Sequence, residues 1–161
     1  MSKETFAFDP FQSIGEQWAL VSAGTAEKSN TMTVSWGGVG VLWGKNVVYI
    51  FIRRSRYTKE FIDAGDTFSL AFPGEEYKKA MGFCGSQTGR GIDKWKQAGL
   101  TPAEKDGVVY PAEAKTVFLC RKLAAVPVDE SSFIDPQIMP DWYADNDMHT
   151  MYVGEIIDII R

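Results

Sequence analysis

Polar and apolar residues alternate in several short segments of the chain, which is the pattern of β-strands with one face in the core. The clearest runs over 30–38, where alternate residues from Met32 to Trp36 are predicted to face the core. The intervening positions, from Thr31 to Ser35, carry hydroxyl groups. Such a face is typical either of a half-exposed antiparallel strand or of a strand that lies along a ligand.

Similar patterns predict further elements. Further strands are predicted at 18–24, 39–43, 47–52, 66–72, 108–110, 114–128 and 149–160. The strand 47–52 is expected to be buried on both faces, and the strand 114–128 to be bent midway. Short helices are predicted at 57–65, 75–83 and 94–98. Strands in hairpin-like succession predict a mainly β fold, an antiparallel barrel with short peripheral helices. A charged connector is expected at 100–107, and an irregular apolar loop at 131–143 that covers a ligand or a partner chain.

Composition narrows the class of protein. The 161 residues are 45% hydrophobic and 24% charged, which predicts one domain spanning 1–161. Aromatic residues, at 13%, suit either stacking on flat ligands or a dense β core. A net charge of −4 argues against nucleic-acid binding. Two separate cysteines and one histidine argue against a metal site. No apolar leader and no run of membrane-spanning length are present, so we expect a cytoplasmic protein without a membrane partner.

The end of the predicted strand 47–52 holds an unusual concentration of donors. It leads into Arg53, Arg54, Ser55, Arg56 and Thr58 at the start of a predicted helix. Helix starts offer unpaired N–H groups, and arginine offers paired donors that suit phosphate oxygens. The segment is typical either of a basic strand end with a helix cap or of a phosphate site.

Two further features are weaker signals. The segment 85–95 is rich in glycine and polar residues, and its Asp93 is placed to cap the helix that ends at Gly99. Most such loops are only connections, although glycine also allows close approach of the backbone to a ligand. His149, the single histidine, opens the last predicted strand, where a lone histidine is usually structural.

Taken in order, four motifs resemble those of the flavin reductase-like, FMN-binding split-barrel family, of the flavoredoxin kind. They are Asn30-x-Met32-Thr33-x-Ser35-Trp36, Arg54-Ser55-Arg56-Tyr57-Thr58-x-x-Phe61, Cys84-Gly85 with Gly89-Arg90-x-x-Asp93-Lys94, and His149-x-x-x-Val153-Gly154-Glu155. The resemblance extends from about residue 18 to the last strand. The chain departs from the family's usual Ser-Gly-Arg-Asp by Thr88-Gly89-Arg90-Gly91, and its linker 145–148 also differs.

The resemblance implies a split β-barrel that pairs as a homodimer and binds one FMN per subunit. The cofactor-binding residues that it implies are Asn30, Met32, Thr33, Ser35, Trp36, Arg53, Arg54, Ser55, Arg56, Thr58, Ser86, Thr88, Gly89, Arg90, Asp93 and Lys94. Residues of the strand 32–36 would lie beside the flavin ring, and those of 54–58 would hold the phosphate. His149 is the candidate catalytic residue, expected near the flavin.

The implied function is that of an oxidoreductase that passes electrons from NAD(P)H, or from a redox partner, through bound flavin. Two alternatives remain open at this point. One is a flavoprotein electron carrier without a small-molecule substrate, and the other is an FMN-binding protein without turnover. The same barrel carries several functions, so the fold does not choose among them.

Overall fold

The computed structural model describes residues 7–161, so the start of the chain, where no apolar leader is expected, lies outside the described residues. Nine strands are present in this part of the chain. Their bounds are β1 Ala19–Gly24, β2 Ser29–Val34, β3 Gly37–Leu42, β4 Lys45–Arg53, β5 Thr67–Phe72, β6 Pro102–Lys105, β7 Val108–Pro111, β8 Thr116–Pro127 and β9 His149–Ile160.

Seven of these strands form one antiparallel sheet in the order β2-β1-β5-β8-β9-β4-β3. The remaining two, β6 and β7, form a small hairpin of their own. The predicted mainly β, antiparallel architecture is therefore confirmed. The pairing of β8 with β9 shifts register after Leu119 and after Lys122, which confirms the predicted irregularity within the long strand.

Four short α-helices lie between the strands, at α1 Tyr57–Ala64, α2 Lys78–Ser86, α3 Lys94–Ala98 and α4 Ile138–Trp142. Other helical segments, of the π or 3₁₀ type, occur at Phe11–Glu16, Glu75–Tyr77 and Glu130–Ser132. The predicted cap of α3 is confirmed, because the Asp93 carboxylate accepts a hydrogen bond from the backbone N–H of Lys96 at 3.2 Å. Gly99 ends α3 with a φ of 74°, a left-handed conformation that glycine adopts without strain.

The largest core cluster joins buried side chains of β1, β2, β4, β5, β8 and β9 with Ile62 of α1, and a second cluster joins β1 to α2 and α3. In β4 the side chains of Val47, Val48, Ile50 and Ile52 are fully buried, whereas Tyr49 and Phe51 are only half-buried. The prediction that 47–52 is buried on both faces is thus correct for four of these six residues. Half-burial of Phe51 follows from its position beside a cavity, described below.

One close approach in the core depends on glycine. Gly154 in β9 faces the ring of Phe68, and a Cβ at this position would also lie 2.9 Å from Cys120 Cβ. Contacts this short do not occur between real side chains, so β9 can pack here only without a side chain at 154. Cys120 and Cys84 are both buried and unpaired, as expected for non-catalytic thiols.

Pairing of β4 with β9 positions the functional site. In this antiparallel pair Arg53, the last residue of β4, lies opposite His149, the first residue of β9. The chain enters α1 four residues after Arg53 and enters β9 directly from the linker that follows α4. The two ends meet at one edge of the sheet, beside the end of β2.

Several sequence-based expectations are wrong in detail. The supposed connector 100–107 contains β6, and the supposed irregular loop 131–143 contains α4. Thr31 does not share an open polar face, because it is fully buried and its hydroxyl donates to the Val21 carbonyl at 3.3 Å. Trp36 is not in the core: β2 ends at Val34, and Trp36 is 41% exposed.

Candidate functional site

A cavity of about 200 Å³ lies at the end of β2, and we call it the aromatic cavity. Its lining comes from β2 and the turn after it, from the end of β4, and from the start of β9. The lining residues are Met32, Thr33, Val34, Ser35, Trp36, Phe51, Arg53, Arg56 and His149. Three of them carry planar rings, which makes the cavity suited to a flat ligand.

His149 is 93% buried in the wall of this cavity. Its Nδ1 lies 2.6 Å from the hydroxyl oxygen of Tyr143. Burial lowers the pKa of His149 to about 4, and the nearby Arg53 guanidinium acts in the same direction, while Asp147 opposes the shift. The imidazole is therefore neutral at pH 7, so His149 does not act there as a cationic acid.

Arg53 connects the aromatic cavity to the linker before β9. Its Nη1 donates to the Asp147 carbonyl at 2.7 Å, and its Nη2 donates to the Trp142 carbonyl at 3.1 Å. The Trp142 ring in turn meets the Trp36 ring edge-on, with ring centres 5.1 Å apart. The segment 142–148 is thereby held against the cavity rather than extending into solvent.

A second cavity, of about 170 Å³, lies beside the start of α1, and we call it the basic cavity. Its lining comes from α1, from the end of α2 and from the loop that follows, and comprises Asn30, Ser55, Arg56, Tyr57, Thr58, Ser86, Gln87, Thr88 and Lys94. Asn30 and Thr58 are buried, and the Asn30 amide donates to the Thr58 hydroxyl at 2.9 Å. The wall is therefore built from polar groups that hold one another in place.

Two cations face the basic cavity. The Arg56 guanidinium donates to the carbonyls of Gly85 and Cys84, at 2.8 and 3.2 Å, at the end of α2. Lys94 is 98% buried and has no hydrogen bond or ion pair among residues 7–161. Burial and the neighbouring Arg56 lower the pKa of Lys94 to about 8, and burial also lowers the pKa of Arg56. Asp147 acts against the lowered pKa of the half-buried Arg56, whereas the buried Lys94 has no such carboxylate beside it. An anionic group in the cavity would therefore stabilise Lys94 above all.

The two cavities are neighbours, because Arg56 lines both of them. One cavity offers aromatic rings, and the other offers hydroxyl, amide and cationic donors. A ligand that fits both would have a flat ring at one end and an anionic group at the other.

The arrangement of the two cavities occurs in a chain that matches a protein-family model. Residues 11–161 match the model described as the flavin reductase like domain. The chain belongs to the flavin reductase-like family. The resemblance inferred from the four sequence motifs is thus confirmed, and the family's members bind flavin.

Solved structures of flavin reductase-like proteins share the fold. Flavoredoxin from Methanosarcina acetivorans has 21% identity and a TM-score of 0.68 over 89% of this chain and 67% of that chain. An FMN-binding domain of a flavin reductases-like enzyme from Shewanella baltica has 18% identity and a TM-score of 0.67 over 92% and 70%. An NADH:FAD oxidoreductase from Streptomyces globisporus has 16% identity and a TM-score of 0.67 over 90% and 75%. A comparison with curated proteins gives no match.

Most residues that the sequence singles out lie at the two cavities of this flavin reductase-like domain. Those that line the aromatic or the basic cavity are Met32, Thr33, Ser35, Trp36, Arg53, Arg56, His149, Asn30, Ser55, Thr58, Ser86, Thr88 and Lys94. Their hydroxyls are not all free. Thr33 donates to the Met81 carbonyl, and Ser86, the last residue of α2 rather than a loop residue, donates to the Gly82 carbonyl at 2.9 Å.

Four sequence-predicted residues lie elsewhere. Arg90 forms an ion pair with Glu60 at 2.5 Å, with its guanidinium over the Tyr57 ring. Gly89 and Asp93 line a third, larger cavity of about 680 Å³, which Asn30 and Lys94 also line. Arg54 donates to the Asn146 carbonyl at 2.8 Å and lines a fourth cavity, on the side of the linker before β9.

Ser55 already binds a carboxylate. Its backbone N–H and its hydroxyl donate to the two oxygens of Asp147 at 3.1 and 2.5 Å. Asp147 thus occupies the donors that precede α1, and Arg56 and Lys94 remain as the cations directed to the basic cavity.

The sequence gives little warning of three residues at the site. Tyr143 belongs to the segment 131–143, for which only a covering loop was predicted, whereas its hydroxyl contacts His149. Asp147 lies in the linker that departs from the family pattern, and Phe51 belongs to a strand expected to be buried on both faces. Among residues 7–161 no cluster of three or more potential metal ligands occurs, and no helix is long and apolar enough to span a membrane.

Proposed function

We propose that the chain is an FMN-binding oxidoreductase that passes electrons from NAD(P)H, or from a redox partner, through bound flavin. The observation that carries the proposal is Lys94, a buried cation without a partner, in a cavity that adjoins a ring-lined one. This donor set fits FMN, which joins a flat ring to a phosphate. We also propose that the chain forms one domain, because the main sheet contains strands from both ends of the described residues.

In this proposal the two cavities bind different parts of FMN. Arg56 and Lys94 would hold the phosphate, with the Thr58 and Thr88 hydroxyls beside them. Met32 to Trp36 would border the ring, and His149 would contact it from the start of β9. Bound FMN would supply the hydride or electron transfer, and the protein residues would supply binding and orientation.

Two other functions share this binding site. Flavoredoxin from Methanosarcina acetivorans supports the reading of the site as part of an electron carrier, whereas the NADH:FAD oxidoreductase from Streptomyces globisporus supports a reductase. An FMN-binding protein without turnover would need the same two cavities. The reductase is the leading candidate, because the family model that matches residues 11–161 is that of the flavin reductase like domain.

Flavin uptake followed by reduction tests the proposal. We expect the purified protein to bind one FMN per chain and to lose its yellow colour within seconds when mixed anaerobically with NADH or NADPH. Loss of colour only with a protein reductant would favour the electron carrier, and no loss with either would favour a binding protein. Failure to bind FMN at all would overturn the three alternatives together.

We further propose that the protein is a homodimer. The edge strand β3 and the turn after it leave Val41 and Trp43 more than 60% exposed, which is unusual for large apolar side chains unless a partner covers them. Light scattering should give about twice the 17.9 kDa of one chain. The variant Trp43→Lys should lower this mass, and a wild-type mass equal to one chain would contradict the proposal.

A further inference from the structure

The hydrogen bond between Tyr143 and His149 lies at the border of the aromatic cavity. Both side chains are more than nine-tenths buried, with 6% and 7% of their surfaces exposed. Two contacts hold the Tyr143 ring, because Phe133 stacks on it at 5.6 Å and the Arg53 guanidinium lies 5.2 Å from its centre. The phenol hydroxyl is therefore held at one position relative to His149 Nδ1.

The direction of this hydrogen bond follows from the other hydrogen-bond partners that the two groups have. The Tyr143 hydroxyl has no other hydrogen-bond partner among residues 7–161. A buried hydroxyl that only accepted a proton from Nδ1–H would leave its own hydrogen without an acceptor. The phenol must therefore donate to Nδ1. In the neutral imidazole the ring hydrogen then resides on Nε2.

The Nε2 atom is free to meet a ligand. Every fully buried side-chain nitrogen or oxygen among the described residues has a hydrogen-bond partner. Nε2 has none within the described chain, so it retains contact with open space. The rings nearest to His149 besides Tyr143 are Trp36 and Phe51, with ring centres at 5.3 and 6.4 Å, and both line the aromatic cavity.

We propose that Tyr143 is a positioning residue that holds His149 as the Nε2–H tautomer, so that His149 gives the aromatic cavity a neutral hydrogen-bond donor and no base. The role of this donor in catalysis rests on the proposed flavin site. The group that accepts the hydrogen bond from Nε2–H would be a carbonyl oxygen or an unprotonated ring nitrogen of the flat ligand. The tautomer itself is a property of the protein alone.

Burial supports the same state of the ring. The pKa of His149 is lowered to about 4 by burial and by Arg53, against the opposing effect of Asp147. A hydroxyl that donates to Nδ1 also favours the neutral form over the cation. Between about pH 5.5 and pH 8 His149 should therefore stay neutral, with one tautomer populated.

Nitrogen NMR of the single histidine tests the proposal directly. In ¹⁵N-labelled protein without ligand, the long-range proton–nitrogen spectrum contains signals of His149 alone, since the sequence holds one histidine. We expect an unprotonated Nδ1 and a protonated Nε2 throughout this pH range. In Tyr143→Phe we expect a mixture of tautomers and a rise of about one unit in the pKa of His149.

The control is Tyr110→Phe, which removes the same hydroxyl from β7 in the small hairpin and should leave the His149 spectrum unchanged. A protonated Nδ1 in the wild type would overturn the proposal without any variant. An unchanged spectrum in folded Tyr143→Phe would overturn the positioning role.

Addition of FMN separates this proposal from the proposed function. If the flavin binds, its ring should shift the Nε2–H proton of His149 in the wild type and shift it less in Tyr143→Phe. FMN binding without any such shift would overturn the donor role and leave the flavin site standing. No FMN binding, together with an Nε2–H tautomer, would remove the proposed function and its acceptor while the Tyr143–His149 pairing stands.

Discussion

Replacing Lys94 with methionine is expected to weaken FMN binding about 100-fold and to change riboflavin binding less than about twofold. Methionine keeps most of the length and apolar contacts of lysine but has no charge. FMN carries the phosphate that Lys94 is proposed to contact, and riboflavin lacks it. Titration of flavin fluorescence against each protein measures both affinities.

The matched control is Lys96→Met in the same helix, because Lys96 is exposed whereas Lys94 is 98% buried. Lys96→Met should leave both affinities unchanged. Equal losses of FMN and riboflavin in Lys94→Met would show that Lys94 acts through packing rather than through the phosphate. Arg56 is a less selective target, since it also binds the carbonyls of Gly85 and Cys84.

Because the pKa of Lys94 is lowered, the affinity for FMN should also depend on pH. In the free protein Lys94 loses its proton as the pH rises through about 8. Phosphate binding favours the charged form of Lys94, so FMN affinity should fall as the pH rises above 8, by up to about tenfold per pH unit. The fall should be absent for riboflavin and absent for FMN in Lys94→Met.

Gly154→Ala is expected to lower the free energy of unfolding by about 3 kcal/mol. The new methyl group would enter the space between the Phe68 ring and Cys120, where its carbon would lie 2.9 Å from Cys120 Cβ. Phe68 and Cys120 are themselves fully buried, so neither can move without displacing further core residues. Denaturation by urea measures the change.

Gly82→Ala is the corresponding control for a glycine without steric constraint. Gly82 lies in α2, and a Cβ there would have no atom within 4 Å. Alanine should stabilise the helix by about 0.5–1 kcal/mol. The contrary result would be a Gly154→Ala variant in which the free energy of unfolding falls no more than an ordinary surface substitution lowers it. That result would mean that β9 shifts easily, and it would contradict the packing described above.

Local patterns in the sequence were sufficient for most of the fold. Alternation and turn residues predict β1, β5 and β9, and the cap at Asp93 with Gly99 gives the bounds of α3. The pattern failed where local composition and tertiary contacts disagree. The charged residues of β6 have weak strand propensity, so the sequence did not predict a strand there. The strand forms because β7 follows immediately and pairs with it in a hairpin.

The site was predictable in its residue types but not in its internal contacts. Motifs identify Arg53 to Arg56 as a basic segment, yet three of these four residues bind the linker 142–148. That linker lies about 90 positions further along the chain, beyond the range of any local pattern. Tyr143 lies only six positions before His149, but the irregular linker between them has no periodic pattern from which their contact could be predicted.

The pairing of β4 with β9 also dictates when the site can form. Arg53 and Asp147 are 94 positions apart, so their contact requires closure of a very long loop, a slow step relative to hairpin formation. During synthesis, β2 and β4 leave the ribosome on the order of ten seconds before His149 does. The nascent chain therefore carries cavity walls with no partner strand, and a flavin can be retained only after the last strand has docked.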